Sequence, residues 1–151
     1  MNSQSLVDEL RPIVHVMGSL DLSDPAAAKS ELDRRLPVEG QSVLRVRELL
    51  VEGRDGGWLL PRENGGLRYG RVAKDLEGFS VDAVLMSGPG PRHRHPKGEV
   101  DLLFATQGSP RFDERDPGWT VFAPDSTHVP TVTDGEMLIL YFLPEAAIEW
   151  L

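Results

Sequence analysis

Beyond the Gly56-Gly57 pair the apolar runs have the length of β-strands: Trp58–Leu60, Leu67–Val72, Phe79–Met86, Val100–Ala105, Trp119–Ala123 and Met137–Leu143. Gly, Pro and Asp close nearly every one of them. Six short strands separated by turn residues predict an antiparallel sandwich or barrel. No helical stretch lies between these runs, which excludes a parallel α/β arrangement. The 15 glycines and 12 prolines of the chain agree with many turns and leave no room for a coiled coil.

The first 57 residues follow a different period. Leu6, Leu10, Ile13, Val14 and Met17 form one helical stripe, and Ala28, Leu32 and Leu36 form a second. Pro12 interrupts the first stripe, which predicts a kinked helix or two short pieces. The second helix has Asp24 as its cap, Pro25 at its first position, and Pro37 with Gly40 at its end. Residues 42–52 predict a third helix, capped by Ser42 and stopped at Gly53, although the valines leave a strand open. At 151 residues the chain has the size of one domain. Residues 1–57 therefore read as a helical extension packed on a β unit of residues 58–151.

Several function classes are excluded by inventory. There is no cysteine, so disulfides, thiolate nucleophiles and Cys-based metal sites are impossible, and any metal must be held by His and carboxylate. The net charge of −8 repels phosphate backbones and anionic membranes, so neither nucleic acid nor membrane is expected as a partner. The segment MNSQSLVDEL lacks the pattern of a secretory leader, and no apolar run reaches the length of a spanning helix, so a cytoplasmic location is expected. The exposed strand edges of a sandwich make a homodimer the expected assembly.

Three of the four histidines fall in the β half. Positions i and i+2 of a strand share a face, so His93 and His95 in PRHRHPKGE present two imidazoles side by side. A turn at Pro96-Lys97-Gly98 then returns the Glu99 carboxylate to the same centre. His128, behind the turn Pro124-Asp125-Ser126, supplies a third imidazole from a strand that approaches from the facing sheet. Three imidazoles and one carboxylate suit one divalent first-row transition metal, whether Fe, Mn, Ni, Co or Zn, with coordination positions left open for chemistry. His15 reads as a solvated helix residue. Arg92, Arg94 and Lys97 point away from the ligand face, and Phe104, Phe122 and Phe142 read as core.

Gly88, His93, His95, Glu99 and Gly108 resemble the first motif of the cupin superfamily. Gly118, Pro124 and His128 resemble the second, with Ser126 where a glycine usually stands. The resemblance implies a mainly β, single-domain cupin, a jelly-roll-type β-barrel, with an N-terminal α-helical extension. The phrases PRHRHPKGEVDLLFATQGSPRFD, GWTVFAPDSTHVPTVTDGEMLILYFLPEAAIEW and DLSDP are in turn similar to the 4-hydroxylaminobenzoate lyase family. That family implies conversion of 4-hydroxylaminobenzoate and water to 3,4-dihydroxybenzoate and ammonia in the degradation of nitroaromatic acids.

Such a reaction is redox-neutral: the N–O bond breaks, water adds to the ring and nitrogen leaves. A Lewis acid suits it. Asp101, which shares a face with Glu99, and Tyr141 on a late strand are the candidate proton carriers. Arg71 and Tyr69 share a face of an earlier strand and are the candidate contacts for a small aromatic acid. Two alternatives remain open: a cupin dioxygenase or isomerase on another small acid, and a cupin that binds a small anion without turnover. The first 57 residues are neither basic nor arranged as a helix-turn-helix, which argues against a DNA-linked sensor.

Overall fold

The computed structural model describes residues 3–151; Met1 and Asn2, which begin the segment read for a leader, lie outside them. Helix α1 (Ser3–Met17) buries the predicted stripe Leu6, Leu10, Ile13, Val14 and Met17. It runs through Pro12 as one helix, so the expected split into two pieces does not occur. Pro12 lies on the exposed side, where the carbonyl that loses its amide partner meets water. Helix α2 (Pro25–Arg35) is capped as expected: Asp24 accepts the Ala27 amide at 3.3 Å, and Leu36 closes the last turn onto the Leu32 carbonyl at 2.7 Å.

The third segment is a helix, α3 (Gln41–Gly56), with both ends displaced from expectation. Gly40 is its N-cap, no side chain caps it, and Ser42 already lies inside; Gly57, in the left-handed region at φ 81°, ends it. Gly53 is an interior residue because the chain folds back on it. A Cβ there would lie 2.8 Å from the Trp58 ring, and the Gly53 carbonyl accepts the amides of Trp58 and Leu59, each at 3.1 Å. Trp58–Leu60 is thus spent on closing the helix and is not the strand that its apolar run predicts.

The strands are β1 (Arg62–Asn64), β2 (Leu67–Leu76), β3 (Phe79–Met86), β4 (His93–His95), β5 (Glu99–Phe112), β6 (Gly118–Phe122), β7 (Ser126–His128), β8 (Val132–Pro144) and β9 (Glu149–Trp150). β3 matches its predicted run, whereas β2, β5 and β8 extend past theirs. Sheet one is antiparallel in the order β1-β2-β3-β8-β5-β6, and sheet two runs β7-β4-β9. The fold is mainly β, a jelly-roll barrel with helices at its N-terminal side.

Alternation along β3, β5 and β8 divides the apolar residues between two faces. Val81, Val100, Leu102, Leu140 and Phe142 belong to one core with Leu10, Leu32 and Leu50 of the helices. Val84, Met86, Leu103, Met137 and Ile139 point the other way, into the barrel, where they meet Phe122. Each such large side chain contributes roughly 1.5–3 kcal/mol by leaving water. The inner face turns polar one step further along: Arg71 pairs with Asp82, Asp82 with Tyr141, Tyr141 with Asp101 and Asp101 with Thr120 in a row across five strands. That row lies beside the histidines.

Candidate metal centre

His93 and His95 occupy the two ends of β4, on one face as their spacing requires. His128 corrects the expectation. It lies in the same sheet and not the facing one: β7 pairs directly with β4, and His128 stands opposite His93. The turn at Asp125, whose amide donates to the His95 carbonyl at 2.7 Å, holds the two short strands together. The facing sheet contributes Glu99 instead, at the start of β5.

The three Nε2 atoms form a nearly equilateral triangle: 3.0 Å from His93 to His95, 3.1 Å from His95 to His128 and 3.1 Å from His128 to His93. Edges of this length are what three nitrogen ligands at about 2.1 Å span when they meet near right angles. The tautomers agree. His93 Nδ1 donates to the Pro91 carbonyl at 2.8 Å and His128 Nδ1 donates to the Asp113 carboxylate at 2.5 Å, so both Nε2 lone pairs point into the triangle. Lone pairs held this close repel unless a cation lies between them, and the residues therefore fit a metal. The Glu99 carboxylate comes within 3.3 Å of His95 Nε2, outside the tight group of three.

Burial sets the electrostatics. Desolvation, reinforced by the neighbouring imidazoles, lowers His95 to about 3 and favours the neutral ring that a metal requires. His93 is lowered too, mainly by desolvation. Glu99 is raised well above its ordinary value by burial and by the adjacent Asp101 charge, and burial raises Asp101 to about 8. The buried Asp101 carboxylate accepts no bond from an N–H or hydroxyl of the protein, and its hydrogen-bond partner is the Glu99 carboxyl. Tyr141 is raised, first by desolvation and then by Asp82 and Glu99, so its hydroxyl stays protonated. Beside it Asp82 is raised by burial even though Arg71 opposes the shift.

His93, Glu99, Asp101 and Tyr141 border a cavity of about 580 Å³, within the range of roughly 300–1,000 Å³ typical of small-molecule sites. Its polar end holds His93, His128, Glu99, Asp101 and Tyr141, and Leu67, Met86, Val84 and Ile139 make an apolar wall. Tyr69 lines it. Arg71 does not: its guanidinium pairs with Asp82 at 2.9 and 3.4 Å, because the barrel wall there presents a buried carboxylate that needs a cation. Arg94 pairs with Asp125 and Glu149, and Lys97 with Glu145, on the outer surface. His15 is exposed beside Glu77, while Phe104, Phe122 and Phe142 are buried.

Two neighbours of the site carry no clear signal in the sequence. Asp113, in a left-handed turn after β5, orients His128, and Trp150 on β9 stands at the cavity beside His93. An acid one residue past a long strand and an aromatic at a short C-terminal strand have no spacing that ties them to His-x-His.

A jelly-roll barrel with three convergent imidazoles at one end of an internal cavity defines a cupin with a candidate metal centre. Among solved structures the chain is similar to a cupin-like protein from Thermotoga maritima (17% identity, TM-score 0.42, covering 58% of this chain and 77% of that one). It is similar also to an oxalate oxidase (15%, TM-score 0.43, 59% and 57%). The chain belongs to the 4-hydroxylaminobenzoate lyase family, whose profile matches residues 14–150. It is 32% identical over 119 residues to a 4-hydroxylaminobenzoate lyase of Nocardioides sp., covering 70% of each chain. To one of Pseudomonas putida it is 25% identical over 134 residues, covering 74% of this chain and 76% of the other.

Proposed function

We propose that this chain is a metal-dependent lyase that converts 4-hydroxylaminobenzoate and water to 3,4-dihydroxybenzoate and ammonia. The triangle of Nε2 atoms is the observation that carries the reading, and the names of the two relatives support its chemistry. His93, His95 and His128 would hold a divalent first-row metal, with Glu99 as the carboxylate beside them. A bound metal supplies Lewis acidity, which eases loss of the hydroxylamino oxygen and polarises water.

The chain's own residues divide the remaining work. Asp101, hydrogen-bonded to Glu99 and free of any N–H or hydroxyl donor from the protein, is placed to hold and pass a proton at the polar end of the cavity. Tyr141 supplies a neutral hydroxyl beside it as a hydrogen-bond donor. The apolar wall of Leu67, Val84, Met86 and Ile139 receives the ring and excludes bulk water from the reacting end.

Elemental analysis of the purified protein, coupled to detection of 3,4-dihydroxybenzoate and ammonia, tests the reading. One metal ion per chain, lost in His93→Ala and His128→Ala, with both products formed and no oxygen consumed, is the expected result. Absence of product from metal-replete protein would overturn the reaction, and oxygen uptake would move the assignment to a dioxygenase.

A further inference from the structure

We propose that Trp150 is the platform on which the aromatic ring of the substrate stacks, and hence a specificity-determining residue of this site. The proposal deepens the reading above and rests on it for the identity of the ring. Strand β9 pairs with β4 so that Trp150 stands directly opposite His93, with the two ring centroids 5.4 Å apart and edge to face. The indole is therefore fixed at the border between the imidazole triangle and the apolar cavity, whose wall it shares with Ile148.

Its exposure is unusual for the residue type and place. Trp119 is 1% exposed and donates its indole N–H to the Leu36 carbonyl at 2.8 Å, whereas Trp150 is 63% exposed. Its backbone is nonetheless pinned: the Leu151 amide donates to the Arg92 carbonyl at 3.1 Å, and Glu149 pairs with Arg94. A rigid strand that holds a largely uncovered indole against a cavity presents a flat apolar face at low entropic cost to the ligand that covers it.

The rest of the lining makes that face matter. No Lys or Arg lines the cavity among the described residues, so an aromatic acid finds no side-chain cation inside it. Binding then draws heavily on covering the ring, and Trp150 is the largest aromatic surface available for it. The stacking of one ring on an indole is worth roughly a tenfold change in affinity.

The test uses the full chain and the ring acid 3,4-dihydroxybenzoate as probe, with cyclohexanecarboxylate as the saturated control. In wild type the probe should quench the long-wavelength emission of the exposed tryptophan, and in Trp150→Phe that quenching should vanish while affinity is largely kept. Trp150→Ala should bind the probe roughly tenfold more weakly and raise KM similarly, with kcat and metal content little changed and cyclohexanecarboxylate binding weakened clearly less than that of the probe. Absence of quenching in wild type, or unchanged probe affinity in Trp150→Ala, would overturn the proposal. So would a change of oligomeric state in Trp150→Ala, which would assign the indole to a second copy, or equal metal loss in both variants, which would make it a support for His93. Quenching and affinity need no turnover, so a wild type that binds the probe yet forms no product would refute the lyase reading and leave the platform standing.

Discussion

His128 Nδ1 donates to Asp113 Oδ2 across 2.5 Å, and Asp113 Oδ1 accepts the Thr131 amide at 2.9 Å. A carboxylate behind an imidazole fixes its tautomer and aims Nε2. Asp113→Asn keeps the shape and tolerates the left-handed backbone at φ 49° but removes the charge. Metal affinity should fall about 10–100-fold, read by competition with a chelator, and activity should return at high metal concentration. Unchanged affinity would reduce Asp113 to a brace for the loop at Thr131.

Asp82 gives a pH dependence of known sign. Burial raises its folded-state value above the ordinary carboxyl value near 3.9, so the folded protein holds this proton more tightly than the unfolded chain does. The stability it contributes is complete below that ordinary value and is lost as pH rises through the folded one. Asp82→Asn removes the loss. Its broken ion pair with the half-exposed Arg71 costs only about 0–1 kcal/mol. Urea unfolding of metal-free protein should therefore show wild type losing stability relative to Asp82→Asn as the pH climbs from about 4 towards neutrality. Parallel curves would refute this.

What was legible in the chain was what alternation and local spacing encode. His93 and His95 share a face because a strand repeats every two residues, and Glu99 returns to them because Gly98, with φ 86°, allows the tight turn. The partner sheet of His128 was not legible, since β7 is three residues long and carries no periodic signal. Arg71 has the right parity for the cavity, yet its fate is decided by Asp82 across the strand pair, a register that local sequence does not specify. At Trp58 the apolar run predicts a strand, and the chain closes on α3 instead, because Gly53 gives it a helix surface to pack upon.

That closure predicts opposite effects for two glycines of α3. In Gly53→Ala the new methyl would meet the Trp58 ring at 2.8 Å and Leu59 Cβ at 2.9 Å, an overpacking that costs about 1–3 kcal/mol and outweighs the helix-propensity gain of up to about 1 kcal/mol. Gly56→Ala meets nothing closer than 3.4 Å and keeps that gain. Thermal unfolding should place the first variant several degrees below wild type and the second level with it or above. A lowered melting temperature for both would show that backbone strain at the helix end, not contact with Trp58, decides the outcome.

Tyr69 and Arg71 share a strand face, but only Tyr69 borders the cavity, and this separates their expected kinetics. A side chain already committed to Asp82, and 52% exposed, cannot swing inward without leaving that buried carboxylate unpaired. Arg71→Met should therefore leave KM for the aromatic acid within about twofold, with its main effect on stability at neutral pH. Tyr69→Phe removes a hydroxyl from the cavity wall and should raise KM roughly 3–10-fold, the equivalent of one neutral hydrogen bond, with kcat little changed. A tenfold or larger rise of KM in Arg71→Met, in a protein that remains folded, would mean that substrate binding draws the guanidinium away from Asp82 and into the site.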